Sequence, residues 1–161
     1  MAVPQIVYKP ASLADALAIA ELSRDLIETG LGWSWTPVRV ANEIRDRDTI
    51  VLTSRHRSSI IGFAIMNFGD ELGHLSLLAV RRDWQRRGVG RAMFQWLKSS
   101  ALTAGIAAIG LELRAANHQA RQFYRALGFE EAGYAPGYYR GRETALRMRL
   151  NLRPAALGFR T

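Results

Sequence analysis

Leu75-Ser-Leu-Leu-Ala-Val80 runs into Arg81-Arg-Asp-Trp-Gln85-Arg-Arg-Gly88-Val-Gly90, and an amphipathic segment follows. This order reads as strand, turn and helix, with two glycines at the mouth of the helix. Glycines there let backbone come close to a ligand, and the unpaired N–H groups of a first helical turn favour negative charge. Arg86, Arg87 and Arg91 add to that preference. The loop suits a diphosphate. A dinucleotide fingerprint would need a glycine where Met93 stands, and a nucleotide P-loop would need Gly-Lys-Ser/Thr, which is absent. Gly88 and Gly90 read alone are also compatible with ordinary turns.

Outward from this loop, the pattern alternates strands and helices. Ile109 to Arg114 reads as a strand, and Asn117 can cap a short helix on which Ala120, Phe123, Tyr124 and Leu127 share a face. Gly128 stands at the C-terminal cap of that helix, with Phe129 packing back. The helix after Gly90 carries Met93, Trp96, Leu97, Ala101 and Ala104 and stops at Gly105. Upstream, three strands are expected at Thr49 to Ser54, Ile60 to Asn67 and His74 to Val80, forming an antiparallel meander. Ser12-Leu-Ala-Asp15 resembles a capping box and opens a helix bearing Leu13, Leu17, Ala20 and Ile27, ending near Gly30. Thr36-Pro37 starts a second helix that reaches about Arg47. A last strand spans about Thr144 to Leu150. The expected fold is α/β in the broad sense: a mixed, mostly antiparallel sheet flanked by helices, with a strand-helix-strand crossover at its centre.

At 161 residues the chain fits one domain, expected over residues 1–153 with a tail at 154–161. No apolar run is long enough to cross a membrane and the start lacks a secretory pattern, so a cytoplasmic protein is expected. Cysteine is absent, and His56, His74 and His118 have no metal-site spacing; no metal is expected. The net charge of +8 comes from 22 basic residues, all arginine except Lys9 and Lys98, spread along the chain. No RNA-binding or helix-turn-helix signature accompanies the charge, so nucleic acid is not the expected partner.

Gln85-Arg-Arg-Gly88-Val-Gly90, Leu111-Glu-Leu-Arg-Ala-Ala-Asn117 and Phe123-Tyr124-Arg-Ala-Leu-Gly-Phe129, in this order, resemble the GNAT superfamily of acetyl-CoA-dependent N-acetyltransferases. The resemblance covers roughly residues 50–150. Within it, Leu111-Glu112-Leu-Arg-Ala-Ala-Asn117 and Tyr138-Tyr139-Arg-Gly-Arg142-Glu-Thr-Ala145 are similar to the bacterial ribosomal-protein alanine N-acetyltransferases, which act on a protein N-terminus. The resemblance implies a GNAT-like fold and acetyl-CoA as cosubstrate. It also implies that backbone at Leu78, Ala79 and Val80 pairs with the pantetheine arm, and that Arg86, Arg87, Gly88, Val89, Gly90 and Arg91 hold the diphosphate, with Asn117 also at the cofactor. An extended, amide-bearing arm can satisfy free strand groups as an added strand would.

Transfer to an amine needs a base. Glu112 is the candidate, directly or through water, because partial desolvation in an apolar strand is expected to raise its pKa. Pairing with Arg114 or Arg147 is the alternative reading of that carboxylate. Tyr124 is the candidate acid for the departing thiolate, and equally an aromatic on a helix stripe. Trp33, Trp35, Tyr138 and Tyr139 are candidates for an acceptor groove, against core packing; Trp84 reads as a packing anchor and Gln85 as a brace for the loop. The leading expectation is acetyl transfer to a protein or peptide N-terminal α-amine, by a monomer or homodimer. Alternatives are a small-amine acetyltransferase acting on a polyamine, amino acid or antibiotic, and a non-catalytic acyl-CoA or nucleic-acid binding module.

Overall fold

A computed structural model describes residues 4–153; the expected tail at 154–161 lies outside the described residues. The strands are β1 (Ile6–Pro10), β2 (Thr49–His56), β3 (Ser59–Phe68), β4 (Leu72–Val80), β5 (Ala108–Arg114), β6 (Glu130–Tyr139) and β7 (Glu143–Asn151). The helices are α1 (Ala16–Leu26), α2 (Pro37–Arg45), α3 (Val89–Thr103) and α4 (His118–Ala126). Hydrogen-bonded neighbours follow the order β1-β2-β3-β4-β5-β7-β6. The β4–β5 pairing is parallel and joined through α3, whereas β1–β2, β2–β3, β5–β7 and β6–β7 are antiparallel. The expected mixed, mostly antiparallel sheet with a central crossover is therefore the observed one.

The chain divides into two compact units, one built from residues up to Asn67 together with Leu75–Ser99, the other from Phe68–His74 and the residues from Ser100 onward. In the first unit, Ala16, Ile19 and Ala20 of α1 and Val40 of α2 pack with Val51, Phe63, Ile65, Leu77 and Ala79 of the strands. The helix faces differ in detail from the sequence expectation. Leu13 and Leu17 are half exposed, and the buried face of α1 is Ala16, Ile19, Ala20 and Ser23. A 3-10 turn over Leu13–Asp15 precedes α1 and shifts the phase of the helix, which ends at Leu26 rather than near Gly30. The Ser12 capping box is present: Asp15 Oδ2 accepts the Ser12 backbone N–H at 2.8 Å. At α2, Thr36 Oγ1 accepts from Arg39 N–H at 3.3 Å and Pro37 takes the first helical position.

In α3 the buried face runs through Val89, Met93, Phe94, Leu97 and Ala101; Ala104 lies beyond the helix and is exposed. Phe94 escapes a strict i, i+3, i+4 count from Met93 because it adjoins it, and widens the stripe.

In the second unit, Leu72–His74 of β4 pairs with Ala108–Gly110 of β5, and β5 pairs along its length with β7, placing Glu112 opposite Arg147. Two strands were not foreseen. β1 is short and mostly exposed, and β6 is broken in register around Gly133 and between Ala135 and Tyr139, where Pro136 and Gly137 interrupt the alternation. Both occupy the edges of the sheet order, where a polar exposed sequence is tolerated.

Candidate active site

The loop before α3 has the geometry of an anion cradle. Arg86 and Gly88 both take positive φ, +62° and +84°, and the helical ladder begins with Ala92 N–H bonded to Gly88 C=O at 3.0 Å. The first-turn amides that precede it are the unpaired donors of a helix N-terminus. A Cβ built on Gly88 would meet nothing within 4 Å, so its glycine serves the left-handed turn and leaves open space above the backbone. That open, amide-lined turn with exposed Arg86, Arg87 and Arg91 fits a diphosphate. Gln85 Nε2 donates to Val80 C=O at 2.9 Å, tying the loop back to the end of β4. Trp84 contacts the His56 ring, with centroids 4.7 Å apart, and the Arg87 guanidinium lies 4.8 Å from its ring centroid. Of the implied arm-binding residues, Ala79 and Val80 have buried side chains and Leu78 is partly exposed; the β5 pairing of their strand ends at His74.

Glu112 is the centre of a polar cluster drawn from four strands. His74 Nε2 on β4 lies 2.6 Å from its Oε1, the Tyr138 hydroxyl on β6 donates to Oε1 at 3.2 Å, and Arg147 Nε on β7 is 3.8 Å from Oε2. The Glu112 side chain is 17% exposed. The His74 hydrogen bond holds its carboxyl below the usual carboxylate range, outweighing desolvation, with Tyr138 and Arg147 adding in the same direction. The expected rise in pKa is therefore overturned. Burial acts as anticipated, but an imidazole, a phenol and a guanidinium surround the ionised form and favour it. Arg147 is the pairing partner foreseen for this carboxylate, while Arg114 pairs with Glu143 at 3.6 Å.

Tyr124 is buried on α4, edge-on to Phe123 and to Phe129. Burial pushes its phenol well above the ordinary tyrosine value, with Tyr139 adding to the rise, so it stays protonated. The helix that carries it is closed at both ends: Asn117 Oδ1 accepts from Ala120 N–H at 3.1 Å, and Gly128, at φ +102°, lets Phe129 N–H return to Tyr124 C=O at 3.0 Å. Tyr138 and Tyr139 meet edge to face at 4.9 Å, and burial also raises the Tyr139 phenol.

Trp33 and Trp35 are partly buried against the core of the first unit. The Trp33 indole N–H donates to Ala20 C=O at 3.1 Å, Arg24 covers its ring, and the Arg39 guanidinium sits 3.7 Å from the Trp35 centroid. Core packing is thus part of what both tryptophans do. The segment between α1 and α2 is organised by Glu28, which sequence reasoning passed over. Its buried carboxylate accepts from Ser34 N–H at 2.8 Å, Ser34 Oγ at 2.6 Å, Ser23 Oγ at 3.0 Å and Trp35 N–H at 3.3 Å. His74 was passed over as well. Its position next to Glu112 follows from the β4–β5 register, which aligns it with Gly110, two residues from Glu112 on the same face of β5.

The fold and loop are those of an acyl-CoA-using transferase scaffold, and the acetyltransferase (GNAT) family matches residues 19–129; the chain belongs to that family. It is 40% identical over 91 residues to the [ribosomal protein bS18]-alanine N-acetyltransferase of Escherichia coli K12, a match covering 55% of this chain and 62% of that protein. The chain thus aligns with less than two thirds of the length of these curated relatives. The crystal structure of the ribosomal-protein-S18-alanine N-acetyltransferase from Escherichia coli superimposes with a TM-score of 0.82 at 26% identity, covering 98% of this chain and all of that one. Arabidopsis thaliana NAA60 in complex with acetyl-CoA shares the fold, with a TM-score of 0.81 at 15% identity over 92% of this chain and 99% of that one. Among the described residues no group of His, Cys, Asp or Glu could hold a metal ion, and no helix is long and apolar enough to cross a membrane.

Proposed function

We propose that the protein transfers the acetyl group of acetyl-CoA to the N-terminal α-amine of a protein or peptide, by direct attack of the amine. The observation that carries the cosubstrate is the turn at Arg86–Gly88, whose two left-handed residues open onto the first amides of α3. Arg86, Arg87 and Arg91 with the backbone of Gly88, Val89 and Gly90 hold the diphosphate, Leu78–Val80 offers strand edge to the arm, and Asn117 stands at the cofactor as well as capping α4. The acceptor class is supported by the similarity to the bS18-alanine enzymes. Action on such a substrate places the work in the cytoplasm.

Acetyl-CoA supplies the activated acyl carbon. Glu112 removes a proton from the acceptor ammonium, directly or through water; the neutral amine nitrogen then bonds to the acyl carbon as the carbon–sulfur bond breaks, and its second proton passes to water, which restores the Tyr124 phenol once that phenol has protonated the thiolate. Tyr124, kept protonated by burial, gives its proton to the leaving thiolate. Trp33, Trp35, Tyr138 and Tyr139 contribute to acceptor contact.

The amine's basicity favours this acceptor class. An α-amine titrates at about 7.7 to 8.0 and a lysine amine at about 10.4, so near neutrality the former is neutral several hundred times more often. CoA release measured over peptides with free N-terminal Ala or Ser, N-blocked lysine peptides and polyamines, with mass spectrometry of the products, tests the reading. Acetyl found on the α-amine supports it. Acetyl chiefly on lysine side chains, or on polyamines alone, overturns the acceptor assignment, and no release with any amine overturns the activity.

A further inference from the structure

The connection between α1 and α2 is built around a buried carboxylate that the transfer reaction does not use. α1 ends at Leu26, Glu28 N–H still bonds to Ser23 C=O at 2.9 Å, and residues 27–36 form neither helix nor strand before Pro37 opens α2. Leu31 N–H bonds to Glu28 C=O at 2.9 Å, and Gly30 and Gly32 both take φ +80°, which turns the chain back on itself. The reversal brings Ser34 and Trp35 to the Glu28 side chain. Oε1 accepts from Ser34 N–H at 2.8 Å and from Ser34 Oγ at 2.6 Å, and Oε2 accepts from Ser23 Oγ on α1 at 3.0 Å. Trp35 N–H lies 3.3 Å from both oxygens.

These donors are neutral: two hydroxyls and two backbone amides. Taking a carboxylate out of water is costly, and hydrogen bonds to its charged form offset that cost. What the bonds secure is one shape for the segment, because they fix the Ser34 and Trp35 amides, the backbone that carries both indoles. The rings are tied down separately: Trp33 Nε1–H donates to Ala20 C=O at 3.1 Å, and the Arg39 guanidinium sits 3.7 Å from the Trp35 centroid. Ser34, between them, is exposed. The segment therefore offers its outer surface from a backbone already in place.

We propose that Glu28 is a positioning residue for the acceptor: by holding the Ser34–Trp35 backbone it keeps Trp33 and Trp35 arranged to meet the acceptor peptide, and so sets acceptor affinity without entering the chemistry. This deepens the acetyl-transfer reading and rests on its assignment of the two tryptophans to acceptor contact. The physical effect is preorganisation. Without the carboxylate the segment has to be ordered as the peptide binds, and that cost is taken from affinity. Acetyl-CoA is assigned to the cradle before α3, so its binding should not respond.

Steady-state kinetics with a peptide bearing a free N-terminal Ala provides the test. Glu28→Ala should raise the peptide KM about tenfold or more, with kcat at saturating peptide and KM for acetyl-CoA within about twofold of wild type. Glu28→Gln keeps a carbonyl oxygen for the Ser34 and Trp35 amides and should recover most of the lost affinity. Ser34→Ala removes only a hydroxyl at an exposed residue and should raise the peptide KM by a smaller factor. Thermal melting checks that each variant folds; if Glu28→Ala does not, Ser34→Ala and Glu28→Gln decide. An unchanged peptide KM in folded Glu28→Ala or in Ser34→Ala overturns the proposal. So does an equal loss in Glu28→Gln and Glu28→Ala, or a matching rise in KM for acetyl-CoA. A wild-type peptide KM in both Trp33→Ala and Trp35→Ala overturns the acceptor assignment of the rings and the proposal with it, whereas no acetylation of any peptide by the wild-type protein overturns the acetyl-transfer reading itself.

Discussion

The hydroxyl of Tyr138 donates to Oε1 of Glu112 at 3.2 Å across 26 residues of sequence. The bond ties the edge strand β6 to the centre of the second unit and helps hold the carboxyl in its ionised form. Tyr138→Phe should raise the Glu112 pKa, because a bond made to the charged form is lost while the His74 contact remains. Carboxyl-carbon NMR titration of the two proteins measures the shift. An unchanged or lowered value would show that the phenol contributes nothing to the charge state.

The cradle before α3 predicts a separation of binding from stability. At Gly88 a Cβ has room but φ is +84°, so Gly88→Val strains the turn and puts methyl groups over the amides. Acetyl-CoA affinity by calorimetry should fall at least about tenfold while the protein still melts cooperatively. Wild-type affinity in the folded variant would mean that the diphosphate binds elsewhere.

Tyr124 separates two roles in one side chain. Tyr124→Phe keeps the edge-on ring contacts with Phe123 and Phe129 and deletes only the hydroxyl. Steady-state kinetics should show kcat reduced more than KM for acetyl-CoA is raised, with an unchanged melting temperature. Wild-type turnover would reject the phenol as the required acid.

Acid stability follows from the sign of the Glu112 shift. A folded-state pKa below the ordinary 4.5 contributes stability that is complete above that value and is lost as pH falls through the lowered one. The stability difference between the wild-type protein and Glu112→Gln should therefore be largest near neutral pH and shrink below about pH 4.5. Denaturant unfolding at several pH values gives the comparison, and a gap that grows in acid would contradict the cluster's charge assignment.

Loss of the α4 cap gives a local stability test. Asn117→Ala removes the acceptor for Ala120 N–H and should cost about 1 kcal/mol in denaturant unfolding. A neutral result would show that the first turn of α4 is satisfied without the side chain.

The features legible in the sequence are those whose cause lies within a few residues. Asn117 and Thr36 cap their helices through side chains acting three residues along, Gly88 and Gly128 take the positive φ their turns require, and the apolar spacing of Met93, Leu97 and Ala101 marks the inner face of α3. Together they placed the cradle, the crossover and Tyr124. Edge strands β1 and β6 carry too little apolar alternation to be recognised, because half or more of their residues face water. The pKa of Glu112 was beyond local reading altogether. Its own strand presents an apolar environment that raises the value, and only the register of β4, β6 and β7 against or near β5 brings His74, Tyr138 and Arg147 to the carboxylate and reverses the sign. Local sequence determined where helices begin and where backbone turns left-handed, since those depend on neighbouring side chains and sterics. Tertiary pairing decided which charges meet, since electrostatic interactions depend on distance in space rather than separation along the chain.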